Sequence, residues 1–199
     1  MSGVLTAVRQ HLVGHFAGVE ITSDPEVASV TFLGVEPIDV LRFGPGPDGV
    51  YHYVSLGCSR YPMTDPSAAL SDPLRGPRAE LVVSLRAAGP TPSGLARSLA
   101  VLAATPAVEG VVLRADALID LSGPLWAGAP FTAVLLGGSD IADLPLPAPL
   151  DPVRFLSAVP VTQNEGAWIR LKGAEAMRQA WVEDGVDVLD PLRRVVEPR

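Results

Sequence analysis

Ile38-Asp39-Val40-Leu41-Arg42-Phe43, then Gly44-Pro45-Gly46-Pro47-Asp48-Gly49, then Val50-Tyr51-His52-Tyr53-Val54-Ser55-Leu56: the reading of this stretch decides the fold class. Both outer runs are rich in β-branched and aromatic residues, which suit a pleated surface. In the second, Tyr51, Tyr53 and Ser55 alternate with His52, Val54 and Leu56, the period of two that sends successive side chains to opposite faces of a sheet. The middle run concentrates Gly, Pro and Asp, which turn the chain. Two strands joined by a turn cluster predict a hairpin.

On the N-terminal side, Val27 to Phe32 is a third strand-like run. Before it, Val4, Leu5, Val8, Leu12 and Phe16 repeat at helical spacing, which predicts an amphipathic helix over residues 3–17, with Ser2 as cap and Gly18 as stop. On the C-terminal side, residues 60–77 hold four prolines and read as an irregular loop. A structureless connection of more than ~12–15 residues points to function or mobility. Ala79 to Arg86 predicts a strong strand. Residues 94–104 predict a helix capped by Ser93. Short strands, or one bulged strand, follow at Val111 to Leu113 and Ala117 to Ile119, then a buried strand from Phe131 to Leu136. Residues 140–152 are proline-rich and loop-like, and Val153 to Val161 is a further strand. Thr162-Gln163-Asn164-Glu165 fits a capping box. It opens a helix that Gly173 interrupts and that runs on to Asp184. The order helix, strands, helix, strands, helix predicts an α+β fold, a mostly antiparallel sheet flanked by helices. No repeat or linker divides it, so residues 1–199 read as a single domain.

Composition narrows the function classes. Hydrophobic residues make up 48% of the 199, enough for a sizeable core. The formal net charge is −7, and no basic footprint of the kind that neutralises phosphates is present, so nucleic acid is not an expected partner. An acidic surface suits solubility and a basic protein partner. With Cys58 as the single cysteine, no intramolecular disulfide can form. Arg9, His11 and His15 interrupt what would be the apolar stretch of a signal peptide, and no run reaches the ~20 apolar residues of a membrane span. The expected location is the cytoplasm.

Each candidate for chemistry has a plainer reading of greater weight. His11 and His15 share a helix face at i, i+4, but a zinc site needs three or four ligands; solvent-exposed histidines are expected, and no metal. Cys58 and His52 suggest a thiol nucleophile and base. On a straight strand at ~3.3 Å per residue they would lie about 20 Å apart, and only a turn at Gly57 could close that gap. Gly57-Cys58-Ser59-Arg60 lacks the second Gly of a nucleophile elbow, since Tyr61 stands there. Gly137-Gly138-Ser139-Asp140 lacks the Lys and the spacing of a phosphate loop. Glu80, inside an apolar strand, is expected to face solvent or pair with an Arg; the other reading is an anchor for a partner or a buried network. Trp168 and Trp181 read as core. No catalytic residue and no cofactor is expected.

The ordered set of short motifs says more than any one residue. Tyr51-His52-Tyr53-Val54-Ser55-Leu56-Gly57-Cys58-Ser59, followed by Tyr61, resembles the aromatic-His-Tyr-Ile-Ser-Phe-Gly-Leu-Ser segment of the Suppressor of fused (SUFU) family. Glu80-Leu81-Val82-Val83-Ser84-Leu85-Arg86 is similar to its Glu-Leu-x-x-x-Leu strand, and Gly94-Leu95-Ala96-Arg97 to the helix after it. Asp116 and Ser122-Gly123-Pro124-Leu125 resemble the next segment. Val153-Arg154-Phe155-Leu156, Val159-Pro160-Val161-Thr162 and Glu165 match its Phe-Leu strand and Thr-x-Glu helix start. Asp190-Pro191-Leu192-Arg193-Arg194 resembles its closing Asp-x-x-Arg-Arg. The resemblance spans residues 26–196, with Ala115 where a Gly is expected and Pro191 directly after Asp190.

The resemblance implies the fold of the SUFU N-terminal domain and a non-catalytic protein-binding role without a cofactor. The animal member clamps a peptide of Gli transcription factors between this domain and a second one; bacterial members resemble immunity proteins that bind and neutralise a toxin. The sequence stops where the first domain ends, so the two-domain clamp is not expected. In the animal protein the segment after the Gly-Leu-Ser motif helps line the peptide groove, and the matching partner-binding positions are Tyr53, Tyr61 and Asp65. Two other classes stay open: a small hydrolase or transferase using Cys58 or a His, and a regulatory or structural subunit that self-associates through its edge strands.

Overall fold

In the computed structural model, which describes residues 2–64, 72–89 and 92–193, the apolar stripe near the N-terminus forms helix α1, Ser2–Gly18. Val8, Leu12 and Phe16 are its buried face. The expected hairpin is β2, Val35–Phe43, and β3, Val50–Leu56, with Asp39 opposite Leu56 and Phe43 opposite His52. β1, Glu26–Phe32, lies on the outer side of β2, and β4, Arg78–Arg86, continues the meander beyond β3. The chain then crosses over through α2, Leu95–Glu109. It returns as β5, Leu118–Asp120, β6, Phe131–Gly138, and β7, Val153–Thr162. α3, Gln163–Lys172, and α4, Ala174–Glu183, follow.

The sheet order is β1-β2-β3-β4-β7-β6-β5. Every pairing is antiparallel except β4 with β7. A parallel pair needs a long crossover, and here α2 and the β5–β6 hairpin supply it. α2 covers one face, where Leu95, Leu99 and Leu102 meet Leu81, Val83, Leu85 and Leu136. On the other face α1 packs over Leu41, Val54 and Phe155, and α3 with α4 over Ala133, Leu135 and Val161.

Three readings of the sequence are corrected. The cap of α2 is Gly94 in the left-handed conformation, not Ser93, and the helix runs on through Pro106. A proline inside a helix leaves the carbonyl four residues back without its donor. Here the Thr105 hydroxyl donates to that carbonyl, of Leu102, at 2.8 Å. Val111 to Leu113 is not a strand; Leu113 N–H faces the Met63 sulfur at 3.3 Å instead. His11 and His15 are partly buried rather than open to solvent: His11 Nε2 donates to the Ala142 carbonyl at 2.7 Å and its ring stacks on Phe155.

Candidate functional site

Strand β3 runs out at Leu56, and the chain turns sharply at Gly57 into a single 3-10 turn, Cys58–Arg60. Gly57 is needed there. Its φ is +151°, and a Cβ would press within 3.2 Å of the Ile38 backbone. Beyond the Val54–Val82 pair, β3 and β4 no longer match backbone to backbone. The Leu81 N–H goes to the Ser55 hydroxyl at 2.9 Å.

Glu80 fills the space so opened. It is fully buried, which corrects the expectation of a solvent-facing or Arg-paired carboxylate. Ser55 Oγ donates to Oε2 at 2.5 Å. Oε1 accepts from Gly57 N–H at 2.9 Å, Ser59 N–H at 3.0 Å and Ser59 Oγ at 2.6 Å. Burial pushes this carboxyl above its ordinary value, and the hydrogen bonds pull it only part of the way back. Arg78, just 3% exposed, holds the same turn from the other side. Its Nη1 donates to the carbonyls of Ser59 and Arg60 at 2.8 and 2.9 Å, and its Nη2 to that of Leu74 at 3.2 Å.

The turn delivers Tyr61 to the surface, 43% exposed. Its hydroxyl donates to Glu36 Oε1 at 2.9 Å. Glu36 also pairs with Arg60, whose Nη2 reaches the Pro37 carbonyl at 3.0 Å. Beside Tyr61 lies a cleft of about 260 Å³ between the start of β2, the turn and the end of α2, walled by Val35, Ile38, Met63, Ala103 and Pro106. Of the three positions taken from the resemblance, Tyr61 stands at this rim. Tyr53 is 4% exposed and packs in the core on the α2 side. Asp65 lies outside the described residues.

The thiol–imidazole pair is not assembled. Cys58 lines the Tyr61 cleft, whereas His52 lines a different one with His15 and Phe16, its Nδ1 paired with Ser84 Oγ at 2.8 Å. Burial, reinforced by the Glu80 charge, pushes the Cys58 thiol well above its ordinary value, the opposite of an activated nucleophile. Among the described residues no group of three or more His, Cys, Asp or Glu could hold a metal ion, and no helix is long and apolar enough to cross a membrane.

A second buried carboxylate closes the far side of the fold. Thr162 and Glu165 form the expected capping box at the start of α3. Glu165 also accepts from Trp181 Nε1 at 2.8 Å and from both terminal nitrogens of Arg193, at 2.6 and 3.0 Å. Arg193 in turn lies over the Phe131 ring and donates to the Pro160 carbonyl at 2.8 Å.

The polar residues at the centre of these two networks, Ser55, Ser59, Glu80, Thr162, Glu165 and Arg193, are all among those quoted for the resemblance. The family model for Suppressor of fused protein matches residues 34–194. The chain belongs to the SUFU family. Solved structures agree on the fold. A SUFU homologue from Neisseria gonorrhoeae FA 1090 aligns at TM-score 0.65 and 19% identity, covering 98% of this chain and 97% of that one. The chain matched in the Sufu-Fu complex aligns at TM-score 0.68 and 17% identity, over 97% and 91%. Drosophila Suppressor of Fused aligns at TM-score 0.65 and 17% identity over 97% of this chain, which spans 51% of that longer one. Comparison with curated protein sequences returned no match.

The sequence reading missed Glu36, Arg60 and Arg78 as supports of Tyr61. The one signal available concerned Glu80 instead. A carboxylate inside an apolar strand must find donors, and Ser55, Gly57 and Ser59 stand together in the adjoining segment.

Proposed function

We propose that this chain is a non-catalytic protein-binding domain whose partner seats against Tyr61 and the cleft beside it. The observation that carries this reading is the turn between Gly57 and Tyr61. Glu80 and Arg78 fix it from within, yet it leaves a tyrosine ring at the surface beside an apolar hollow. A pre-positioned aromatic next to a pocket supplies contact area at little entropic cost. Tyr53 serves from inside, by holding β3 in place, and Asp65 adds charge to the same loop. The net charge of −7 favours a basic partner and speeds its arrival. Within this reading the domain is an immunity-type protein that occludes a toxin in the cytoplasm. Membership of the SUFU family supports a binding role, and one structure of the same fold is the Sufu-Fu complex.

The test uses a candidate toxin from an adjacent gene, or a protein captured from native lysate, as titrant. Replacing Tyr61 and Asp65 together by Ala weakens binding by roughly tenfold or more, the loss expected of an anchor residue, with an unchanged melting temperature. Unchanged affinity would sink this placement of the surface.

One observation favours a second reading, self-association. β1 is an edge strand, and Val27 on it is 49% exposed. Free strand edges pair with other chains. Light scattering across a concentration series separates the two: a mass that does not rise with concentration removes self-association.

A further inference from the structure

The parallel strands β4 and β7 start side by side, with Arg78 opposite Val153 and Ala79 opposite Arg154. At this end of the sheet lies a cleft of about 370 Å³ lined by three arginines, Arg78, Arg114 and Arg154. That is unexpected in a chain of net charge −7. Elsewhere Arg42, Arg86, Arg170, Arg178 and Arg193 each hold a carboxylate oxygen within 2.6 Å. These three do not. The bonds from the Arg78 guanidinium go to neutral carbonyls of Ser59, Arg60 and Leu74. Arg114 has no ion pair among the described residues. Arg154 reaches Asp143 only at 3.7 Å, with both side chains more than half exposed. One carboxylate shares the cleft, Asp151, and its Oδ2 already accepts the Gly76 N–H at 2.5 Å.

We propose that this cleft binds a small oxyanion, a carboxylate or phosphate group, gripped by Arg114 and Arg154 in the field of the buried Arg78 charge. The division of labour follows from exposure. Arg78 supplies potential but has three of its four terminal N–H groups committed to the Ser59, Arg60 and Leu74 carbonyls, whereas Arg114 and Arg154 reach solvent and present planar forks that match two oxygens on one centre. Met63, Leu113 and Leu156 wall the cleft; apolar walls thin the water and strengthen attraction between charges. Met63 also lines the Tyr61 cleft, so the two hollows are neighbours, and Met63 is the one lining residue they share. The anion site stands independently of the proposed partner surface.

The experiment titrates the full chain at low ionic strength with inorganic phosphate and, separately, with acetate, following backbone amide shifts by NMR. Saturable shifts confined to residues 76–79, 112–114 and 151–154 are expected. The tighter of the two probes identifies the phosphate or the carboxylate source. Arg114→Gln with Arg154→Gln weakens the tighter probe by roughly tenfold or more, while Arg97→Gln, on the exposed face of α2, leaves it unchanged. Both replaced arginines have substantial exposure, and an unchanged thermal midpoint verifies the fold. Absence of saturation with both probes, or equal affinity in the double variant, overturns the proposal.

Discussion

Glu80 and Glu165 are both fully buried and both accept several hydrogen bonds, yet they are solved by different chemistry. Glu80 receives neutral donors only, from Ser55, Gly57 and Ser59. Glu165 receives a bidentate arginine as well as a tryptophan and a backbone N–H. Burial pushes both carboxyls up. At Glu165 the bonds from Arg193, Thr162 and Trp181 and the charge of Arg193 outweigh it, so the group sits below its ordinary value; at Glu80 the neutral donors do not, and it sits above. The lesson is a division of roles. The Glu165 pair clamps the C-terminal segment to the sheet, as a permanent closure. The Glu80 cradle shapes a turn whose outer surface stays free for Tyr61.

The comparison breaks most visibly at Arg193. Replacing it by Ala strands a buried anion and is expected to cost about 3–5 kcal/mol, read from urea denaturation midpoints; a loss under ~1 kcal/mol would show that Glu165 does not depend on its cation. Glu80→Ala should cost about 2–4 kcal/mol, because it leaves several buried donors unmatched. It should also weaken partner binding through Tyr61, whereas Arg193→Ala should leave the affinity of the folded fraction intact. Equal binding losses in both variants would erase the distinction between clamp and cradle. Thr162→Ala removes one half of the capping box and is expected to cost ~1 kcal/mol by the same denaturation assay.

The gentlest test is pH. A group held below its ordinary value, as Glu165 is, contributes stability that is full above that value and drains away as pH falls through its folded pKa. Glu80 has the opposite sign: its contribution is greatest when protonated and falls as pH rises from the ordinary carboxylate value through its raised folded pKa. Glu80→Gln should therefore lose ground to the native chain at acid pH and recover it towards neutrality, in unfolding curves taken across a pH series. A gap between the two that widens with rising pH would be the wrong sign.

How much of this was readable beforehand depended on distance along the chain. The Thr162–Glu165 box was legible because its two bonds close within four consecutive residues. The turn at Gly57 was named only as a condition for bringing Cys58 near His52, and the structure shows the turn without that approach. The Arg193 bond to Glu165 was not, because the partners are separated by two helices. The burial of Glu80 went against the favoured reading, because a strand pattern does not show which donors the neighbouring segment will bring to a carboxylate. The length of α2 was misjudged because Pro106 is an ordinary stop signal, and its compensation by Thr105 is a matter of one rotamer.

The sequence by itself determined most of the strands, the helix faces, the α+β class and the family, since these rest on periodicity and on ordered local motifs. Only the tertiary structure decided that Tyr53 turns inward, that Cys58 and His52 line different clefts, and that Arg78, Arg114 and Arg154 converge on one hollow. The last of these depends on the parallel β4–β7 pairing, which sets the start of β4 beside the start of β7. Long-range pairing joins residues whose spacing along the chain carries no periodic signal, so no local reading of the chain could have brought them together.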